Sequence, residues 1–132
     1  MAMISWEQSI AIFVGGGLGA FLRAWISSMS GSGTGFFDQI PLGTLWVNWG
    51  GSFLLGFLIG VLPTQGILKS GLTTGMMGGL TTFSTLSVEN IGILQNKGSF
   101  QSALHLLLHC GGGLFFAFIG LSLGSTLGKQ GK

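Results

Sequence analysis

The sequence predicts an all-α membrane protein of four transmembrane helices, the third of them broken. Two observations carry this. Only eight of the 132 residues are Asp, Glu, Lys or Arg, 6% of the chain, against about 25% in soluble domains. Four apolar stretches also reach the roughly 20 residues needed to cross a hydrocarbon core about 30 Å thick. A soluble domain of this size could not cover its surface with so few charges. In lipid that surface needs none.

The first span runs near Gln8–Met29, with Arg23 its only interior charge. The second, near Leu42–Leu62, is uncharged and bounded by Pro41 and Pro63. The third, near Ile67–Gln95, carries Lys69 and Glu89 toward its ends, and the fourth, near Phe100–Leu127, is uncharged. The longest connection, about Ser30–Ile40, is rich in Gly and Ser and contains Asp38. The whole chain, 1–132, reads as one four-helix domain. The start does not read as a cleaved signal, because no basic region precedes the apolar stretch. Cys110 is the single cysteine. It allows no internal disulfide or thiolate cluster and is expected to pack in the fourth span. A net charge of +2 is too small to point to nucleic acid.

Basic residues in the flanks orient helices. With four spans, Lys69, Lys129 and Lys132 share one face, and Lys97, with Arg23 near it, lies toward the other. Three against two leaves both orientations open: a single modestly biased one, or both, with copies paired antiparallel.

Glycine accounts for 26 residues, many four apart within spans: Gly15 and Gly19; Gly56 and Gly60; Gly71, Gly75 and Gly79; Gly120, Gly124 and Gly128. Small residues at this spacing let helix backbones approach in lipid. Four thin helices would then have more interface than one subunit satisfies, so oligomerisation is expected. The cluster Gly15–Ala20 lacks the glycine spacing of a nucleotide loop and follows no strand.

Polar residues within spans usually face protein or water. The second span has a four-residue stripe, Thr44, Asn48, Ser52, Gly56 and Gly60. It serves either an interhelical hydrogen bond or an ion path. Arg23 continues a stripe with Gly15, Gly19 and Ser27. It either snorkels to the interface or holds a fixed charge at the mouth of an anion path. In the third span, Gly78-Gly79-Leu80-Thr81-Thr82-Phe83-Ser84-Thr85 sets two glycines before two threonines, a weak helix at mid-span. Broken helices at membrane depth occur where backbone is protein-buried or water-lined, and their carbonyls and amides can coordinate ions. The density of hydroxyls favours an ion-related break. Glu89 either ends solvated at an interface or pairs with a basic group such as Arg23. His105 and His109 lie four apart on one face, as metal ligands would. No carboxylate or cysteine is spaced to complete a site, so polar packing or a pore lining is the better reading. The acids are just Glu7, Asp38 and Glu89, and no catalytic constellation emerges. An enzyme is not expected.

Along nearly its whole length the chain resembles the CrcB/Fluc family of fluoride channels. Gly16-Gly17-Leu18-Gly19-Ala20-Phe21-Leu22-Arg23 resembles the family's first-helix motif. Gly43-Thr44-Leu45-Trp46-Val47-Asn48-Trp49-Gly50-Gly51-Ser52-Phe53 resembles the second, with its pore asparagine. The stretch from Gly78 through Glu89 resembles the signature of the broken third helix. The resemblance implies an antiparallel, dual-topology homodimer in the inner membrane, with two fluoride pores along the subunit interface. Asn48 would donate to fluoride, Phe83 would present a ring edge, and Ser84 and Thr85 would line the path. Arg23 would sit near a vestibule or in a structural contact. A structural sodium would be held on the dyad by backbone carbonyls of Gly78 and Thr81 from both subunits. The family's second Phe, three residues after the first, is Leu86 here, which puts a second aromatic contact in doubt. His105 and His109 would occupy the hydroxyl track of the fourth helix, and conduction would then vary with pH near neutrality. The function implied is passive fluoride export. Its rivals are a small dual-topology drug or cation exporter, which needs a mid-span acid in an early helix that this chain lacks, and a non-transporting assembly factor.

Overall fold

The computed structural model describes residues 4–31 and 40–130, apart from the side chain of Gln130. Asp38 and Lys132 lie outside the described residues. Within them the chain is helical, without a β-strand.

Helix α1 spans Trp6–Met29. It starts at a capping box, in which Ser5 accepts from the Gln8 N–H at 3.2 Å and the Gln8 side chain accepts from the Ser5 N–H at 3.1 Å, so donors that the first turn leaves unpaired are satisfied. Helix α2 spans Leu42–Val61; Pro41 precedes it, where the missing N–H costs nothing. Helix α3 covers residues 67–80: one α-turn at Ile67–Ser70, a π-helical stretch at Gly71–Met77 and a final turn at Gly78–Leu80. Helix α4 spans Phe83–Lys97 and α5 spans Ser99–Gln130. Gly98 makes the sharp turn between these two with φ +92°, a conformation that other residues adopt at a cost.

Three helices, α1, α2 and α5 (to Lys129), are long and apolar enough to cross a membrane. The third predicted span is divided in two. Neither α3 nor the 15-residue α4 reaches the length of a crossing alone. The expected boundaries otherwise hold within two or three residues, and the break falls at Thr81 and Thr82.

Glycine sets the packing. A Cβ on Gly15 would collide with the Gly71 carbonyl, one on Gly19 with the Met76 carbonyl, and one on Gly79 with the Gly16 carbonyl. These contacts press α1 onto α3. A Cβ on Gly56, Gly120 or Gly124 would strike the carbonyls of Ala117, Phe53 and Phe57, in that order, which joins α2 to α5. Gly60 and Gly128 also meet across that seam. The glycine stripes are thus consumed within the chain. These stripes by themselves therefore do not call for a second subunit, although Gly17, Gly50 and Gly78 face open space.

The partition of side chains is that of a lipid-facing protein. Phe13 is 83% exposed, Leu114 75% and Phe118 71%, whereas Thr44, Thr82, Ser102, His105 and His109 are buried. Polar groups in a bilayer protein face inward because hydrocarbon offers them no partner. The apolar interior is small, with Val47, Met77 and Leu80 packed between α2 and α3. The protein is a multi-pass helical membrane protein.

Candidate functional site: a helix break held by an asparagine

The helical ladder stops where Thr81 (φ −76°, ψ 152°) and Thr82 (φ −148°, ψ 118°) become extended. Two extended residues remove the i→i−4 partners on either side, and in an apolar medium those groups need substitutes. Side chains supply them. Asn48, on the polar stripe of α2, accepts from the Thr82 N–H at 2.8 Å and donates to the Thr82 carbonyl at 3.2 Å. The Thr82 N–H can only donate, so the atom facing it must be Oδ1, and the amide orientation is fixed. The second Asn48 N–H faces His109 Nδ1 at 3.2 Å. It has only a lone pair to meet there, so His109 carries its hydrogen on Nε2.

The far side of the break is a helix start. The Thr82 hydroxyl accepts from the Thr85 N–H at 3.2 Å, donates to Thr85 Oγ1 at 3.0 Å and lies 3.2 Å from Ser84 Oγ. An N-cap of this kind is worth about 1 kcal/mol. The near side is a helix end. Both the N–H and the hydroxyl of Thr81 donate to the Met77 carbonyl, at 3.0 and 2.9 Å. Arg23 reaches from α1 to the Thr81 carbonyl at 3.5 Å, a long contact that sets a cation at the negative end of α3. Of the two readings of Arg23, the structure places it in this backbone contact. Because Thr82 donates to Asn48, the Gly78 carbonyl loses its usual i+4 donor. Because Thr85 donates to the Thr82 hydroxyl, the Thr81 carbonyl loses its own.

A groove of about 270 Å³ opens onto the break, lined by Asn48, Ser52, Thr81, Thr82, Phe83, Leu86, His109 and Cys110 among others. Phe83 is 76% exposed, and Ser84 and Thr85 are exposed beside it. The residues predicted to share a path therefore divide. Asn48 and His109 lie at the inner wall, Phe83 at the rim, and Ser84 and Thr85 on the outer surface near it. Cys110 is exposed at the groove rather than packed within the helix bundle, since its position on α5 is one residue beyond the buried His109.

Sequence reasoning left Glu89 between solvent and a basic group such as Arg23; its side chain is 21% exposed, and the basic group beside it is His105 rather than Arg23. Glu89 Oε1 accepts from the Thr44 hydroxyl at 2.6 Å, and its Oε2 lies 4.0 Å from His105 Nε2. Thr44 stands one turn before Asn48 on the same stripe, and that spacing was the available signal. Asn90, which sequence reasoning passed over, accepts from Ser102 at 3.2 Å and lies 3.1 Å from His105 Nδ1. The histidines do pack as polar groups. Among the described residues no three ligating side chains gather as a metal cluster would require. The remaining lock is Trp49, which donates to the Leu108 carbonyl at 2.9 Å, pinning α5 beside Asn48.

Fold and site together define a multi-pass membrane protein built around a polar break in one interrupted helix. Comparison with known proteins identifies its kin. Residues 10–121 match the family model described as CrcB-like protein, Camphor Resistance (CrcB), so the chain belongs to the CrcB family. It is 40% identical over 121 residues to the fluoride-specific ion channel FluC of Nautilia profundicola, covering 89% of this chain and 93% of that one. It is 37% identical to FluC 2 of Staphylococcus haemolyticus, over 89% and 96% of the two chains. To FluC 1 of Staphylococcus aureus (strain bovine RF122) it is 36% identical, over 91% and 98%.

Proposed function

We propose that this protein is a fluoride-selective ion channel that passively exports fluoride across the inner membrane. The observation that carries the reading is the break itself, with Asn48 bonded to both backbone groups of Thr82 and the groove opening onto it. Fluoride is small and strongly hydrated, so a path must replace its water with donors. The Asn48 amide and the hydroxyls of Ser84 and Thr85 are donors, and the edge of the Phe83 ring is positive. Asn48 already spends one N–H on Thr82. The N–H now facing His109 is the one an anion in the groove would take over, with both Thr82 bonds kept. Arg23 adds a fixed positive charge behind the break.

Four crossings follow if α3 and α4 span in series. The exposed Phe83, Ser84 and Thr85 face then needs a cover. A second, antiparallel copy would supply it and close two pores at the interface. Gly78 supports this assembly, because a Cβ there would meet nothing in the chain. The carbonyls of Gly78 and Thr81, deprived of helical donors, have the hard-oxygen chemistry that sodium takes from unwound helices. Two carbonyls are half a coordination shell, so a structural sodium would need both copies. Bound there, it would offset exposed carbonyl dipoles and add positive potential near the path.

The test is fluoride efflux from liposomes holding the purified protein, read with a fluoride electrode and with chloride efflux as control. Fluoride is expected to leave rapidly and chloride to stay. Asn48→Ala or Phe83→Ile should cut fluoride efflux strongly. Equal chloride efflux would refute selectivity.

A further inference from the structure

Between α4 and α5 lies a pair of groups that the fluoride path does not use. His105 is fully buried, at 0% exposure. Its Nδ1 lies 3.1 Å from Asn90 Oδ1, an oxygen that also accepts from Ser102. An amide oxygen only accepts, so His105 Nδ1 carries the hydrogen and Nε2 of the neutral ring is a bare lone pair. That lone pair faces Glu89 Oε2 at 4.0 Å. Both atoms are sealed from solvent, and neither has a hydrogen-bond partner among the described residues. Two buried acceptors therefore confront each other, an arrangement that native structures avoid unless a hydrogen lies between.

We propose that Glu89 and His105 share one proton, taken from solvent onto His105 Nε2 and held by Glu89 Oε2. With the proton absent, the pair bears one net negative charge. With it present, imidazolium and carboxylate cancel. His105 then donates from both nitrogens, to Asn90 and to Glu89, while Glu89 keeps the Thr44 hydroxyl on its other oxygen. A closure of little more than an ångström brings the two atoms to hydrogen-bond distance.

The surroundings leave the charge to this pair. From α5, the His109 ring meets His105 edge-on at 4.6 Å, and its Nδ1 is engaged by Asn48. From α2 the facing group is the Thr44 hydroxyl. From α1, Ser27 and Ser30 share with Thr44 and Glu89 a cavity of about 220 Å³, while Arg23 is held at the Thr81 carbonyl. Of these groups Arg23 carries a fixed charge, and His109 is the other ionisable side chain. Asp38 lies outside the described residues. The consequence for transport rests on the channel reading above. Removing a negative charge beside an anion path raises anion entry, so fluoride efflux should increase as pH falls.

The experiment has two arms. In the first, protein labelled with 15N-histidine in detergent micelles is titrated between about pH 8 and pH 5, the range in which imidazole charges. His105 Nε2 is expected to convert from an imine to an N–H signal, assigned by its loss in His105→Gln. In Glu89→Gln, whose amide can donate to Nε2 and keep the Thr44 contact, the proton affinity of His105 should fall roughly tenfold or more. A bridging water giving one hydrogen to each acceptor predicts instead a neutral His105 throughout. That result, or an identical titration in both proteins, overturns the proposal. In the second arm, fluoride efflux from liposomes is measured over the same range, with the HF leak of protein-free liposomes subtracted. A roughly tenfold rise at low pH, absent in Glu89→Gln, is expected. Titrating spectra with flat efflux would uphold the shared proton and refute its effect on conduction. Efflux absent at every pH would strike the channel reading and leave the spectra to decide the proton.

Discussion

At the scale of single residues, the site depends on side chains acting as backbone. Asn48 stands in for the two ladder bonds that Thr82 gives up, and it does so from another helix. Removing it orphans a buried N–H and a buried carbonyl together, at about 1–3 kcal/mol for each. Asn48→Ala should therefore lower the thermal midpoint of the purified protein as well as fluoride efflux. Asn48→Asp separates the two roles. It can still accept from the Thr82 N–H but has no donor for the Thr82 carbonyl or for an anion. Efflux should fall as far as in Asn48→Ala, with the smaller loss of stability, measured by detergent melts alongside the liposome assay. Arg23→Gln tests the charge behind the break. Its side chain is two bonds shorter and loses the contact with the Thr81 carbonyl, already 3.5 Å from Arg23, along with the charge; a fall in anion efflux without a fall in stability would assign the role to charge.

At the scale of elements, two devices make an interrupted helix tolerable. Thr82 begins α4 as its N-cap, and glycine lets α3 lie directly on α1. Thr82→Val keeps the shape and removes the cap. The expected cost is about 1 kcal/mol, seen as faster amide exchange confined to the first turn of α4. Gly19→Val places atoms where the Met76 carbonyl stands. Overpacking of this kind costs about 1–3 kcal/mol, and backbone cannot retreat as a flexible side chain would. The variant should melt earlier than Gly17→Val, since a Cβ on Gly17 meets nothing. The π-helical stretch in α3 includes a Thr73 hydroxyl that bonds back to the Lys69 carbonyl at 2.7 Å, a competitor for the regular ladder.

At the scale of the molecule, the balance of charge bears on assembly. Of the basic residues, Arg23 is held at the break, and the lysines are few and divided between the two ends of the helices. Orientation is decided by such flanking charges; so small a bias leaves both orientations open, and the antiparallel assembly proposed above requires both. A tag at the C-terminus of Lys132 should be accessible from either side of the membrane in comparable amounts. Adding three lysines beside Lys129 should leave one orientation and abolish efflux if the pores need antiparallel partners. A single orientation in the unmodified protein, with full efflux, would dispose of that assembly.

How much of this was legible depends on the kind of information. Helix ends, the break at Thr81 and Thr82, and the inward stripes of α1 and α2 follow from local composition and helical period, which a single chain displays in full. Pro41, the paired glycines at 78 and 79, and the four-residue spacing of Thr44, Asn48 and Ser52 were sufficient. The partners were not legible, because spacing fixes which face a residue occupies and not which helix lies opposite. Glu89 had Arg23 as a plausible mate by charge, yet the docking of α2 beside α4 brings Thr44 to it first. The glycine stripes announced close packing correctly, but which seams they close was decided when α1 met α3 and α2 met α5.

The sequence by itself determined that the chain is a helical membrane protein with a weak point in its third apolar stretch, since charge depletion, length and propensity are properties of the covalent chain. Tertiary structure alone decided that Asn48 holds the weak point open, that Phe83 stays exposed at the rim, and that Glu89 and His105 face each other. Those outcomes depend on the relative depth and rotation of packed helices, which are set by backbone contact at the glycines and are written nowhere in the order of residues along any one helix.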